Sequence, residues 1–232
     1  MSFIGNYLGG MAYQYQTRGA LEKAEKFYRR AIAKGDQIAM HYLTFGIMLM
    51  QRGDLEEGVE ILSRGLQLPV DDRTKASIRC NRALAYLLLG QKNKAMAALE
   101  DLKEIYPCAQ VYETLGYAYI KTGRYEEAVA YGLEGLDYDE KNTVIMDNLA
   151  QVYILLERFE EARDILAKAL AIKEKQADLL YHQTLVDLHF GDREAALAHV
   201  KLAQECGINA LNDVKREDLV ALEAQIRQGG QA

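Results

Sequence analysis

The stretch from Thr114 to Leu136, TLGYAYIKTGRYEEAVAYGLEGL, decides the reading of this chain. It holds two runs of helical periodicity separated by Gly123. Upstream, Leu115, the small Gly116 and Tyr119 recur at the helical period. Gly123 suits a helix C-terminus, where a left-handed backbone carries no Cβ penalty. Downstream, Glu126 and Glu127 open a second run, where carboxylates complement the positive end of a helix dipole. The stretch therefore predicts two short helices joined by a glycine turn.

The same phrase recurs along the chain as RGALEKAEKFYRRAI, RGDLEEGVEILSRGL, LGQKNKAMAALEDLK, LERFEEARDILAKAL and FGDREAALAHVKLAQ. Anchored on the turn residue, the copies fall at Gly19, Gly53, Gly90, Gly123, Glu157 and Gly191, with spacings of 34, 37, 33, 34 and 34. Three slots carry small side chains. Seven residues before the turn stand Ala12, Gly46, Ala83, Gly116, Ala150 and Thr184. Five after it stand Ala24, Gly58, Ala95, Ala128, Ala162 and Ala196. Twelve after it stand Ala31, Gly65, Leu102, Gly135, Ala169 and Ala203. Sixteen of these 18 slots are Gly or Ala, where chance would fill roughly four, so a shared repeat geometry is the better explanation. Two antiparallel helices approach closely only where neither carries bulk at the crossing. Four residues before the turn, Tyr15, Leu49, Tyr86, Tyr119 and Tyr153 supply large fillers beside those contacts.

Composition agrees. Only two prolines and as many as 30 alanines in 232 residues favour helix throughout. The net charge of −6 disfavours nucleic-acid binding, which needs a basic footprint. No run approaches 18 consecutive apolar residues, so no membrane insertion is expected. The first residues, MSFIGNYLGGMAYQYQ, lack the charged and apolar regions of a signal peptide. Cys80, Cys108 and Cys206 have no CxxC spacing and are read as reduced thiols of a cytoplasmic protein, with neither a disulfide framework nor a zinc site.

The 34-residue helix–turn–helix unit, its small slots and its tyrosine slot resemble the tetratricopeptide-repeat family. The resemblance covers about nine-tenths of the chain. It implies an all-α fold, a right-handed α-solenoid of six helix–turn–helix repeats plus a C-terminal capping helix. On this reading residues 1–232 form one domain, with repeats at about 5–38, 39–75, 76–108, 109–142, 143–176 and 177–210 and the capping helix at about 213–228. Leu219, Leu222 and Ile226 would be the buried face of that last helix. The family's early tryptophan slot holds Leu8, Tyr42, Arg79, Tyr112, Met146 and Leu180 instead, and its closing proline survives only as Pro107, with Pro69 one place early. Gly5, Gly9 and Gly10 weaken the first helix, each by roughly 1 kcal/mol relative to alanine, so that segment is expected to fray or to be held by another chain.

Catalysis needs a convergent nucleophile, base and orienting group, and no such set is visible. P-loop, GxGxxG, GxSxG and HExxH patterns are absent, so the chain is read as a non-enzyme without cofactor or metal. His182, His189 and Asp178 could share a helix face, but surface histidines of that spacing are commonplace. The paired carboxylates recur once per copy, which marks them as complements of the helix dipole rather than acid–base pairs.

In arrays of the family this chain resembles, the first helix of each repeat lines a concave groove that binds ligands. Residues ten, six and three before the turn share one helical face. From these positions the candidate partner-binding residues are Tyr13, Leu43, Ile47, Met50, Leu84, Leu87, Glu113, Tyr117, Ile120, Asp147 and Gln151. The second and third copies make the strip apolar, which marks an interaction site; the fourth and fifth add carboxylates. Residues 1–108 carry 15 basic and 12 acidic groups, whereas residues 109–232 carry 13 and 22, so a ligand with an apolar stretch and a basic end is expected. The two-lysine, two-asparagine clamp of chaperone-binding family members is matched in no frame. The expected function is a protein–protein scaffold or adaptor binding an apolar or amphipathic segment. The alternative is a self-associating module, a homo-oligomer formed through the groove or the first repeat.

Overall fold

A computed structural model describes residues 3–228. They are all-helical, with no strand among the described residues, in two compact units, Met1–Tyr106 and Pro107–Ala232. The first unit contains α1 (Phe3–Thr17), α2 (Leu21–Ala33), α3 (Ala39–Arg52), α4 (Leu55–Gly65), α5 (Asp72–Leu88), α6 (Lys92–Leu99) and the single-turn α7 (Leu102–Ile105). The second contains α8 (Ala109–Lys121), α9 (Tyr125–Tyr138), α10 (Thr143–Leu155), α11 (Phe159–Ile172), α12 (Ala177–His189), α13 (Arg193–Gln204) and α14 (Arg216–Gln228). Sequential helices pack as hairpins: α1 on α2, α3 on α4 and α5 on α6, then α8 on α9, α10 on α11 and α12 on α13, with α14 against α13. First helices also touch one another, α1 to α3 to α5 and α8 to α10 to α12.

Every turn residue named from the sequence has a positive φ: +75° at Gly19, +100° at Gly53, +72° at Gly90, +78° at Gly123 and +79° at Gly191, with Glu157 at 58°. The hydrogen bonds there close the helix in the same way each time. At Gly53 the residue's own N–H donates to the Met50 carbonyl, and the next N–H, on Asp54, donates to the Leu49 carbonyl, both at 3.0 Å. This pair of bonds satisfies carbonyls that the helix end leaves unpaired. The acceptor of the second bond is the residue four before the turn, so the tyrosine slot is also the last full turn of the first helix. Tyr119 and Tyr153 there carry the guanidinium of Arg124 and Arg158 over their rings, at 4.6 and 4.7 Å from the centroid.

The small slots sit where backbones meet. A Cβ on Gly46 would lie 3.4 Å from the Gly58 carbonyl oxygen and 2.6 Å from Leu62 Cγ; one on Gly58 would lie 2.8 Å from Met50 Cγ. Gly135 likewise abuts Tyr112, whose Cβ would be 3.0 Å away. Around these crossings the first unit buries Tyr28, Phe45, Leu49 and Ile61, the Tyr28 and Phe45 rings stacked at 5.0 Å.

The third copy departs from the others, and its sequence shows why. Leu102 occupies a slot that is small elsewhere, and there the second helix breaks into α6 and α7 with Leu102 buried. Arg79, in the family's tryptophan slot, donates to the Ala98 carbonyl at 2.9 Å and also reaches Asp101, completing the interrupted end. The expected frayed first helix is not what forms. Residues 3–17 make a full helix in which Gly5 and Gly9 are buried. A Cβ on Gly5 would be 2.6 Å from the Asp36 backbone nitrogen, and one on Gly9 would strike the Asp36–His41 pair. The glycines admit the 34–41 segment rather than loosen the helix.

Candidate functional site

The residues expected to form a partner-binding strip divide sharply by register. Those six before the turn stay accessible: Tyr13 is 48% exposed, and Ile47, Leu84, Tyr117 and Gln151 are half-buried. Those three before the turn are buried in three successive copies, as Met50, Leu87 and Ile120. Leu43, ten before, is buried too. Leu43, Met50, Leu87 and Ile120 therefore leave the expected surface. The reason is packing inside the chain: Met50 is wholly enclosed because the missing side chain of Gly58 lets α4 close over it. The accessible face of each first helix is narrower than helical spacing alone suggests.

In the first unit the remaining face runs over α1, α3 and α5. Tyr13, Ile47 and Leu84 hold the same register on these neighbouring helices and keep apolar surface toward solvent. Behind them Tyr28 joins α2 to the first helices; its hydroxyl donates to Gln16 Oε1 at 2.7 Å and lies 2.9 Å from Thr44 Oγ1.

In the second unit the equivalent face is polar and already engaged. Residues 205–215, which connect α13 to α14, carry Asp213 onto α8 and α10. Tyr117 Oη and Lys121 Nζ donate to Asp213 Oδ1 at 2.7 and 2.6 Å, and Gln151 Nε2 donates to Oδ2 at 2.6 Å. Asp178 on α12 holds the flanking residues, accepting from Asn212 Nδ2 at 2.7 Å and from the Val214 N–H at 3.0 Å. Burial opposes the charge on Asp213, but the bonds from Lys121 and Tyr117 outweigh it and hold its pKa below the usual carboxylate range. Burial, with Asp213 beside it, pushes the Tyr117 phenol well up, so it stays a donor. A cavity of about 370 Å³ opens beside Asp213, lined in part by Ile154, Leu155, Tyr181 and Leu185.

Glu113 and Asp147 do not face a free groove either. Glu113 accepts from Asn142 Nδ2 at 2.8 Å, and burial raises its pKa. Asp147 Oδ1 lies 2.8 Å from His182 Nδ1 in a buried pair. Burial disfavours the imidazolium, yet Asp147, helped by Asp178 and Asp213, outweighs it and raises the His182 pKa. His189 stacks on Phe159 at 3.7 Å, away from any such pair. His182, His189 and Asp178 thus do not converge, and no group of three or more His, Cys, Asp or Glu side chains among the described residues could hold a metal ion. No helix among them is long and apolar enough to cross a membrane.

Lys121, Asp178 and Asp213 are not among the site residues that helical spacing picks out. The sequence pattern puts Asp213 in a capping helix from 213, whereas α14 begins at Arg216. Tyr117 and Asp213 are 96 residues apart in sequence, and no local pattern links them.

Stacked helical hairpins with a residue register repeating along their first helices define a helical-repeat protein. Two family models described as tetratricopeptide repeat match this chain, at residues 81–107 and 108–175. Residues 81–175 thus carry tetratricopeptide repeats, and the chain is similar to proteins of that family. It is 26% identical to the TPR repeat-containing protein YpiA of Bacillus subtilis over 167 residues, which are 68% of this chain and 37% of that protein. The chain spans between 32% and 40% of the lengths of the curated relatives it matches. Among solved structures it resembles TTC0263, a thermophilic TPR protein of Thermus thermophilus, with a TM-score of 0.69 at 20% identity; the match covers 82% of this chain and 99% of that one. It also resembles a chain of the APC/C hetero-tetramer Cut9–Hcn1, with a TM-score of 0.75 at 14% identity, covering 94% of this chain and 42% of that one. Proteins of this family are in general non-enzymatic protein-interaction scaffolds.

Proposed function

We propose that this chain is a protein-binding scaffold whose accessible α1, α3 and α5 face takes an apolar or amphipathic segment of another protein. The observation that carries the reading is the survival of Tyr13, Ile47 and Leu84 as accessible apolar side chains in one register, while their neighbours at other registers are buried. Covering side chains of this size contributes on the order of 1.5–3 kcal/mol each before ordering costs. The Cut9–Hcn1 assembly, in which a similar fold is part of a hetero-tetramer, supports the reading by fold alone.

The test is selection from a displayed random-peptide library against the wild type and against Leu84→Glu and Ile47→Glu. The wild type enriches apolar peptides. A charge in either position weakens their binding by about 2 kcal/mol, roughly thirtyfold, without loss of helicity. Enrichment that survives both substitutions refutes the assignment.

A second reading rests on α1. Phe3, Ile4 and Tyr7 are 82%, 60% and 61% exposed, an apolar cluster suited to a second copy of the chain. A molar mass by light scattering that rises with concentration, and that Tyr7→Lys returns to 26.2 kDa, supports it. A monomer at all concentrations removes it.

A further inference from the structure

We propose that the inner face of α8, α10 and α12 is a receptor site for an acidic peptide segment, and that the chain's own Asn212 and Asp213 occupy it as a built-in competitor. The inference stands apart from the apolar face of α1, α3 and α5.

The 205–215 connector does more than its connecting role requires. Closure of the last hairpin is accomplished by α14, whose Leu219, Leu222 and Ile226 pack with Leu180, Val200 and Ala203, together with the connector's Val214 and Ile208 in the same core. A connector serving that closure alone would contact only α12, α13 and α14. Instead it runs back across two further hairpins and places Asp213 on Tyr117 and Lys121 of α8 and on Gln151 of α10. Val214 anchors it in that core, whereas Asn212 and Asp213 are attached by polar contacts as a ligand is. One carboxylate receives three side-chain donors from two helices, and one backbone N–H and one side-chain amide are taken by Asp178 of a third.

The donor set also names the chemistry of the occupant. Lys121, the Tyr117 hydroxyl and the Gln151 amide converge as donors, and a carboxylate is the group that accepts from all three. The net charge of residues 109–232 points to a basic partner, but the groups at the centre of the face read the opposite sign. His182 engages Asp147, but the partners of Asp178 are the connector's own Asn212 amide and Val214 N–H, so an incoming segment must present an amide or N–H to Asp178 beside its carboxylate. A partner that supplies a carboxylate to Tyr117, Lys121 and Gln151 and a donor to Asp178 keeps both the charge and the number of hydrogen bonds at the site as Asp213 and Asn212 leave. The cavity of about 370 Å³ beside Asp213, walled by Ile154, Leu155, Tyr181 and Leu185 together with Lys121, His182 and Asp218, is space that the connector leaves unfilled. A residue with an apolar body and a polar end, flanking the partner's carboxylate, fits there and gives it an advantage over the chain's own segment. That advantage is needed, because a tethered segment competes at a high effective concentration.

The experiment uses the full chain and a fluorescein-labelled peptide of residues 207–215, GINALNDVK, with blocked termini. Binding is read by fluorescence polarisation on the wild type, on Asp213→Ala and on Asp213→Ala/Lys121→Met. The Asp213→Ala chain is expected to bind the peptide about tenfold or more tightly than the wild type. That binding falls about tenfold when the peptide's Asp is replaced by Asn, or when Lys121→Met is added. Equal or absent binding to all three chains overturns the proposal and makes the connector a permanent part of the fold. A second measurement needs no substitution: excess peptide added to the wild type speeds amide hydrogen exchange at Asn212–Lys215. Unchanged exchange at saturating peptide counts against the proposal in the same way.

Discussion

Gly46 and Gly116 occupy the same slot, seven residues before their turns, yet replacing each by alanine has opposite consequences. The helix itself favours both changes by about 1 kcal/mol, since glycine inside a helix is the more costly residue. The surroundings differ. A methyl on Gly116 meets only Asn148 Nδ2 at 3.6 Å, an ordinary contact. That nitrogen keeps its 2.9 Å bond to the Glu113 carbonyl, so Gly116→Ala stabilises the second unit by about 1 kcal/mol. A methyl on Gly46 lies 2.6 Å from Leu62 Cγ and 2.8 Å from its Cδ2, with the Gly58 carbonyl at 3.4 Å. Carbon atoms rest about 3.5–4.0 Å apart, so Leu62 must retreat by about 1 Å. It is fully buried and the clash reaches its branching carbon, so it has no free end to swing aside. Overpacking of this kind costs about 1–3 kcal/mol. After the helix gain, Gly46→Ala destabilises by up to about 2 kcal/mol. Urea unfolding followed by far-UV circular dichroism measures both, with midpoint and slope compared to wild type for each, because repeat arrays need not unfold in one step. A double-mutant cycle with Leu62→Ala adds a check. The methyl introduced at position 46 then fills part of the space left by Leu62, and the two costs fall short of additive by about 1 kcal/mol or more. The reasoning is refuted if Gly116→Ala destabilises as much as Gly46→Ala, or if Gly46→Ala stabilises.

Three further outcomes follow from the same geometry. Glu157 alone among the turn residues holds a positive φ without being glycine, so Glu157→Gly relieves backbone strain and raises stability by about 0.5–1 kcal/mol; a lower thermal midpoint contradicts this. Gly9→Ala drives a methyl into the Asp36–His41 pair, which is 2.7 Å apart, and destabilises the first unit by about 2–3 kcal/mol in urea unfolding, whereas Gly10→Ala, with open space around it, does not. The His182 pKa is raised in the folded chain, and burial raises that of Asp147 as well. A group whose folded pKa lies above its unfolded value adds stability below the unfolded value, and that stability is lost as pH rises through the folded one. The thermal midpoint of wild type relative to His182→Gln is therefore largest below about pH 6.5 and shrinks as pH rises above it; a pH-independent difference contradicts the buried charged pair.

The repeat, its turns and its close contacts were legible because each depends on residues near one another in sequence. A left-handed turn needs glycine, and a backbone crossing needs glycine or alanine, so the same few residue types return at a fixed interval wherever the geometry returns. At the one slot of the third copy that departs from the pattern, Leu102 is enclosed only where the second helix breaks. Periodicity also placed Tyr13, Ile47, Leu84, Tyr117 and Gln151 on one helical face. What it could not settle was how much of that face remains open. Met50, Leu87 and Ile120 lie on the same face by angle, and only the approach of neighbouring helices decides that they are enclosed. Gly5 and Gly9 were legible as weak points of a helix, but the segment they admit lies some thirty residues on. Asp213 is the extreme case: its partners on α8 and α10 come from earlier hairpins, and a contact between residues so far apart is set by the path of the folded chain, which no local pattern records.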